Sequence, residues 1–219
     1  MRKFALIGTL TLLMLVTILN ISFLTSPLRA QNAVSTCPSQ MAVCDFKSAM
    51  RKLWSDHVSW TRMYVISAVA NLEDTRFVAD RLLRNQDDIG NAIKPFYGDQ
   101  AGDQLAGLLR QHILLAVDLV NQAKAGNKEK LAAAEKKWFA NADDIATALS
   151  TLNPNLPKKA VTDMLYKHLR VTEQEVTYRL NKNYNSDIAA YDQILKDILA
   201  MSDEISEAII KQFPDKFAR

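Results

Sequence analysis

Three histidines carry the most usable chemistry in this chain, and they are the only three it has. His57 lies in Leu53-Trp54-Ser55-Asp56-His57-Val58-Ser59-Trp60-Thr61-Arg62, where Phe46, Met50, Leu53, His57, Trp60 and Tyr64 advance by steps of four and three. That spacing puts them on one helical face with His57 at its centre. His112 sits on a second apolar stripe with Leu105, Leu108, Leu115 and Leu119, and His168 on a third with Val161 and Leu165. Burying an imidazole without a partner costs roughly 2 to 7 kcal/mol, so each ring must find a polar group on a neighbouring helix.

Two kinds of solution fit. In one, His57 and His112 pair with Asn, Asp or Tyr in a closed layer that fixes helix register. In the other, His57, His112 and His168 join Asp88, Asp144 or Asp187 around a metal ion. With no thiolate inside, that set suits zinc, or a two-histidine, one-carboxylate iron or manganese centre. Trp54, Trp60, Arg62, Asn85 and Asn141 are the candidate ligand-binding residues beside it. Aromatic residues at helical spacing are more often core, which is the simpler role for the tryptophans, and for Arg62 it is an ion pair. Haem held between two histidines is a further arrangement, although the chain has no Cys-x-x-Cys-His attachment sequence.

The elements that must position these groups are helices. Glycine and proline are few and fall near segment boundaries, and no alternating strand pattern of useful length occurs. Helix A is expected from an Asp45 cap to about Asn71, helix B from Asp74 to about Ile93, helix C between Asp99 and Gly126, and helix D from Asn127 to Asn153. Pro157 opens a short helix E, and Thr172-Glu173-Gln174-Glu175 has the form of a capping box starting a last tract to Gln212. Helix-poor residues from Asn181 to Ser186 predict a break in that tract. No internal repeat is evident. Short connections make an all-α, antiparallel up-down bundle of four long helices plus one or two shorter ones. With about 1.5 Å of rise per residue, His57 and His112 reach a common height, near Asn85, Asp88, Asn141 and Asp144, and a rising helix E brings His168 there too.

Ahead of this bundle, expected over 45–219, Arg2 and Lys3 precede an uncharged apolar run from Phe4 to Leu24. Residues 1–30 therefore read as a signal peptide or a retained N-terminal membrane anchor, which places the rest outside the cytoplasm. There Cys37 and Cys44, in a linker over 31–44, can form a disulfide. The net charge of +3 belongs to the leader: without Arg2, Lys3 and Arg29 the chain has 24 bases against 24 acids. Nothing in that balance favours nucleic acid, and the membrane enters only through the N-terminal segment.

Zinc-protease His-Glu-x-x-His, diiron Glu-x-x-His, Gly-x-Ser-x-Gly and phosphate-cradling glycine loops are all absent. Leu53 to Arg62, Asn85-Gln86-Asp87-Asp88-Ile89-Gly90, Pro95 to Gly102, Trp138 to Ala146 and Gln212-Phe213-Pro214 together resemble an uncharacterised family of bacterial helical proteins marked by Leu-Trp-x-x-His-Val-x-Trp-Thr-Arg. The resemblance implies one fold unit from Leu53 to Phe217 and directs attention to His57, Trp60, Arg62, Asp88, His112, Asn141 and His168, without supplying a reaction. Where members of that family carry a histidine after the Tyr191-Asp192 turn, this chain has Leu195. The expectation is an exported small-ligand or metal-binding or sensing bundle. The alternatives are a metal-dependent hydrolytic or redox enzyme, and a structural or interaction bundle.

Overall fold

The computed structural model describes residues 39–218, and the leader and Cys37 lie outside that range, as do the proposed signal or anchor segment and the Cys37–Cys44 bridge. Six long helices follow one another: α1 (Gln40–Ala70), α2 (Thr75–Tyr97), α3 (Asp99–Ala125), α4 (Lys128–Leu152), α5 (Lys158–Leu180) and α6 (Tyr184–Gln212). A short 3-10 turn over Pro214–Phe217 ends the chain. Among the described residues there is no strand, and no helix is long and apolar enough to cross a membrane.

The caps explain most boundaries. Asn71 closes α1 and Gly126 closes α3 in the left-handed region, with φ of 56° and 68°. The Asn127 side chain accepts from the Lys130 N–H at the start of α4, as its residue type predicts. Four expectations are corrected. Helix α1 begins at Gln40, capped by Ser39, so Asp45 is interior and the expected linker is helical from residue 40. Helix α2 continues through Pro95 to Tyr97, since a proline so close to the C-terminus interrupts little of the helical ladder. The residue before α3, Gly98 at φ 84°, takes the cap position in place of Asp99. The Thr172 capping box does not form: Thr172 is inside α5, its hydroxyl donating to the His168 carbonyl. Helix α5 is therefore a long helix of 23 residues, and the predicted break lies at Asn181–Asn183, where Lys182 takes φ 56°.

Each helix packs on the next and α6 closes on α1, making a ring of three antiparallel hairpins. Helices α1, α3 and α5 also meet one another across the middle. This arrangement has a sequence counterpart, which overturns the expectation of no repeat. Asn85-Gln86-Asp87-Asp88-Ile89-Gly90-Asn91-Ala92-Ile93, Asn141-Ala142-Asp143-Asp144-Ile145-Ala146-Thr147-Ala148-Leu149 and Met201-Ser202-Asp203-Glu204-Ile205-Ser206-Glu207-Ala208-Ile209 share acid, acid, Ile, small and Ala at corresponding positions. In all three the first two residues, the Ile and the small residue are buried, while the second acid is exposed. On the inner helices Met50, Trp54 and His57 correspond to Leu105, Leu109 and His112, and to Val161, Leu165 and His168, all buried. The chain is three helical hairpins built on one pattern, and each inner helix brings one histidine to the centre.

The small position has a steric reason. A Cβ on Gly90 would come within 2.5 Å of the Gly102 carbonyl oxygen and 2.7 Å of the Ala106 Cβ, so α2 and α3 approach closely there.

Candidate functional site

The core is two apolar clusters. One gathers Met50, Trp54, Ile89, Leu105, Ile145 and Met201 with their neighbours toward the C-termini of α2, α4 and α6. The other gathers Tyr64, Val65, Leu82, Ile113, Val120 and Val176 toward the opposite end. On the inner helices His57, His112 and His168 are buried, with exposures of only 3, 4 and 5 %. The ring of His57 lies 6.5 Å from that of His112 and 5.8 Å from that of His168, centroid to centroid. The convergence expected from helical rise is therefore present.

Amide side chains fix two of the rings. His57 Nδ1 is 3.2 Å from Gln86 Oε1, and Gln86 Nε2 donates to the Leu82 carbonyl and to Asn85 Oδ1. Asn85 Nδ2 in turn donates to the Leu53 carbonyl, one helical turn before His57. Because the Gln86 nitrogen is committed as donor, Oε1 is the acceptor and the proton on His57 resides at Nδ1. The second hairpin reaches the same result with one residue. Asn141 Nδ2 donates to the Leu108 carbonyl, one turn before His112, and Asn141 Oδ1 accepts from His112 Nδ1 at 2.9 Å. Both imidazoles are thus Nδ1–H tautomers, leaving an unprotonated Nε2 lone pair on each.

The third hairpin departs from the pattern. Met201 occupies the position of Asn85 and Asn141, and His168 Nδ1 is buried with no hydrogen-bond partner. Two other buried groups around the rings lack partners: Trp54 Nε1, on an indole 5.7 Å from the His57 ring, and Trp138 Nε1, on an indole 5.1 Å from the His112 ring.

Burial makes the three rings poor bases. It draws His57 down to about 4 against the opposing effect of Gln86. Burial and the charge of His57 draw His112 to about 3, and the same causes with His112 added hold His168 well below the usual histidine range. All three imidazoles are neutral at pH 7.

The remaining predicted residues disperse. Asp88 and Asp144 are exposed, because the second acid of each repeat faces outward. Asp187 is buried, yet it is held by Arg62 at 2.8 Å and Arg179 at 3.3 Å. No carboxylate of the expected set is therefore free to join the imidazoles. Among the described residues, no group of three or more His, Cys, Asp or Glu side chains is placed to hold a metal ion. That corrects the expected zinc, iron or manganese centre at His57, His112 and His168 with Asp88, Asp144 or Asp187. Arg62 also binds Glu175 at 2.5 Å and covers the Tyr191 ring, so it serves an ion-pair network between α1, α5 and α6. In that network burial pushes the Glu175 carboxyl up to about 7 despite Arg62. Trp60 is half-buried and covered by the Arg81 guanidinium. Trp54, Asn85 and Asn141 do belong to the layer.

Gln86 is the layer residue that the candidate set omits. Part of the signal was available: the histidines are spaced by 55 and 56 residues, and Asp-Asp-Ile follows His57 and His112 at offsets of 30 and 31 residues. Beyond the layer, Met50, Trp54, Ile89, Leu105, Ile145 and Met201 help enclose an almost wholly apolar cavity of about 20 Å³. A hydrogen-bonded group closes its far end: Asn153 donates to the Tyr97 hydroxyl, which donates to Gln212. Comparison with protein-family models, curated proteins and solved structures gives no match for this chain.

Proposed function

We propose that the protein is an extracytoplasmic binding or sensing module that takes a small ligand at its imidazole layer. One observation carries this reading: around the His57 and His112 rings, 6.5 Å apart, three buried nitrogens have no partner, His168 Nδ1, Trp54 Nε1 and Trp138 Nε1. Buried polar atoms are satisfied in the great majority of native interiors, so such a concentration marks a place for a ligand that donates hydrogen bonds or accepts an electron pair. The apolar leader in the sequence supports the location.

A hydrolytic or redox enzyme would need a cleft that brings substrate and water to the rings, and exposures of 3 to 5 % favour a small bound group instead. A purely structural layer is favoured by a different observation. In one hairpin the linked amides Gln86 and Asn85, and in another Asn141 alone, join the imidazole to the backbone of the inner helix, which fixes register with no ligand at all.

Unfolding of the full-length, untagged chain, followed with a panel of metal ions and small neutral solutes, separates these readings. A true ligand at a hundred times its Kd stabilises the fold by about 2.7 kcal/mol. The binding reading predicts such a shift for at least one member, lost in His57→Asn and His112→Asn. If every shift is absent, or persists in both variants, the layer is structural.

A further inference from the structure

We infer that the imidazole layer holds one neutral protic molecule of a single heavy atom, water or ammonia, hydrogen-bonded to the Nε2 atoms of His57, His112 and His168. This inference rests on the binding reading above and names the chemical class of its ligand.

The amides set the direction. The two nitrogens of an imidazole point about 144° apart, the angle a five-membered ring imposes. Gln86 and Asn141 draw Nδ1 of His57 and His112 toward the outer helices α2 and α4. Nε2 of each ring is thereby turned the other way, toward the middle, where α1, α3 and α5 meet. Among the described residues no hydrogen bond reaches any of the three Nε2 atoms, yet none of these is among the wholly enclosed partnerless atoms, as His168 Nδ1 is. That contrast leaves the Nε2 side of the layer as the open one.

Ring spacing fits a hydrogen-bonded bridge. With a bond of about 2.9 Å and about 1.15 Å from ring centre to nitrogen, two imidazoles on one oxygen or nitrogen atom have centres about 6.6 Å apart at the tetrahedral angle. The 6.5 Å between His57 and His112 and the 5.8 Å between His57 and His168 correspond to angles of about 107° and about 92° at that atom. A metal ion cannot span the first pair, because bonds of about 2.0 Å leave even opposed rings no more than about 6.3 Å apart.

Donors and acceptors balance. His57 and His112 carry their protons at Nδ1, so both Nε2 atoms accept, and a molecule with two hydrogens donates to both at once. Its lone pair then accepts from the third ring, which requires the His168 proton to be on Nε2. No amide holds His168 in the other tautomer, and its partnerless Nδ1 then has no hydrogen to donate. A buried water typically makes about three hydrogen bonds, the number these rings offer.

Charge and enclosure narrow the class. Burial keeps the three rings neutral at pH 7, and the buried carboxylates of α5 and α6, Glu175 and Asp187, are held by Arg62. An ion at the layer would meet no counter-charge to offset its desolvation. Trp54, Leu109 and Leu165, all buried, lie one turn before the histidines, and the Trp54 and Trp138 indoles stand 5.7 and 5.1 Å from the His57 and His112 rings. Walls this close suit a single heavy atom.

The test uses NMR of the full-length chain with nitrogen-15 in its histidines. His168 should be the Nε2–H tautomer, in contrast to Nδ1–H at His57 and His112. Ring protons of His57 and His112 should cross-relax with water, at the sign of a water that tumbles with the protein, and lose this in His168→Phe, which keeps a ring without a donor. Ammonium chloride, titrated against sodium chloride, separates the two occupants. Ammonia shifts both Nε2 signals with an apparent affinity that rises about tenfold per pH unit while ammonium predominates. Persistent water cross-relaxation with no ammonium response identifies water alone. An Nδ1–H tautomer at His168, rings silent toward both water and ammonia, or an ammonium response independent of pH overturns the inference, and the tautomer is read on the wild type whether or not the variant folds. Silent rings in a protein that another solute still stabilises through the layer overturn this ligand alone. A water that no solute displaces or adds to supports the inference while the binding reading falls, and silent rings with no stabilising solute overturn both.

Discussion

Replacing His112 by Asn should make the stability gap between the two proteins depend on pH in a calculable way. The Asn side chain can still donate to Asn141 Oδ1, so the hydrogen bond is kept while the titrating ring is removed. At pH 7 the variant should be less stable by about 1 to 3 kcal/mol, the cost of the ring's lost packing against Trp138. Burial first, and His57 second, lower the wild-type ring from 6.5 to about 3. Below pH 6.5 the unfolded chain therefore takes up a proton that the folded chain refuses until about pH 3. The stability associated with the neutral ring is present above 6.5 and is lost as pH falls through that window, at about 1.4 kcal/mol per pH unit. By pH 5 the loss is about 2 kcal/mol, and His112→Asn escapes it.

The gap between the two proteins, rather than the wild-type curve, is the diagnostic quantity. Glu173 and Glu175 are both raised to about 7, chiefly by burial, and they act with the opposite sign. Their folded carboxyls take protons more readily than the unfolded ones, so acidification from pH 7 toward 4.5 adds stability and masks the histidines. Urea unfolding of both proteins at half-unit steps from pH 7.5 to 5 measures the gap directly. Narrowing by about 2 kcal/mol agrees with a buried neutral ring. Parallel curves, or a gap that widens on acidification, would refute the burial argument.

Other outcomes follow from individual contacts. Arg62→Met leaves Glu175 and Asp187 buried with only Arg179 nearby and should cost about 3 to 5 kcal/mol in denaturant unfolding; adding Glu175→Gln should recover part of that loss. Asn141→Ala strips the partner from His112 Nδ1–H and should destabilise by about 1 to 3 kcal/mol, with a chemical-shift change at His112 that exposed control substitutions lack. Gly90→Ala forces a methyl against the Gly102 carbonyl, which is backbone and cannot swing away, so a loss of about 1 to 3 kcal/mol is expected in thermal unfolding.

The depth of the histidines was readable because apolar stripes fix which face of a helix is buried, and common rise fixes height. His57, His112 and His168 could be brought together on that reasoning alone. Their partners were harder to read, since a stripe does not say which of two adjacent polar residues points inward. Asp88 and Asp144 seemed equivalent to Asn85 and Asn141 on the helix flank, yet three residues further along α2 and α4 the side chain has rotated into solvent. The ending of helix α5 was misread because Thr172-Glu173-Gln174-Glu175 satisfies the capping pattern as a string. In the folded chain the Thr172 hydroxyl bonds back to His168 within a continuous helix, a competition between local motif and tertiary packing that sequence alone does not decide. The threefold pattern was legible throughout, but only when the Asp-Asp-Ile, Asp-Asp-Ile and Asp-Glu-Ile segments are aligned across hairpins of unequal length.

Nitrogen-15 NMR of the histidine rings at pH 7, assigned through His57→Asn and His112→Asn, tests the central claim with least intervening inference. The account predicts two neutral Nδ1–H tautomers at His57 and His112, each with a bare Nε2, and no titration until well below pH 6.5. Protonated Nε2 atoms at these positions, or rings titrating near 6.5 like solvent-exposed histidines, would contradict it.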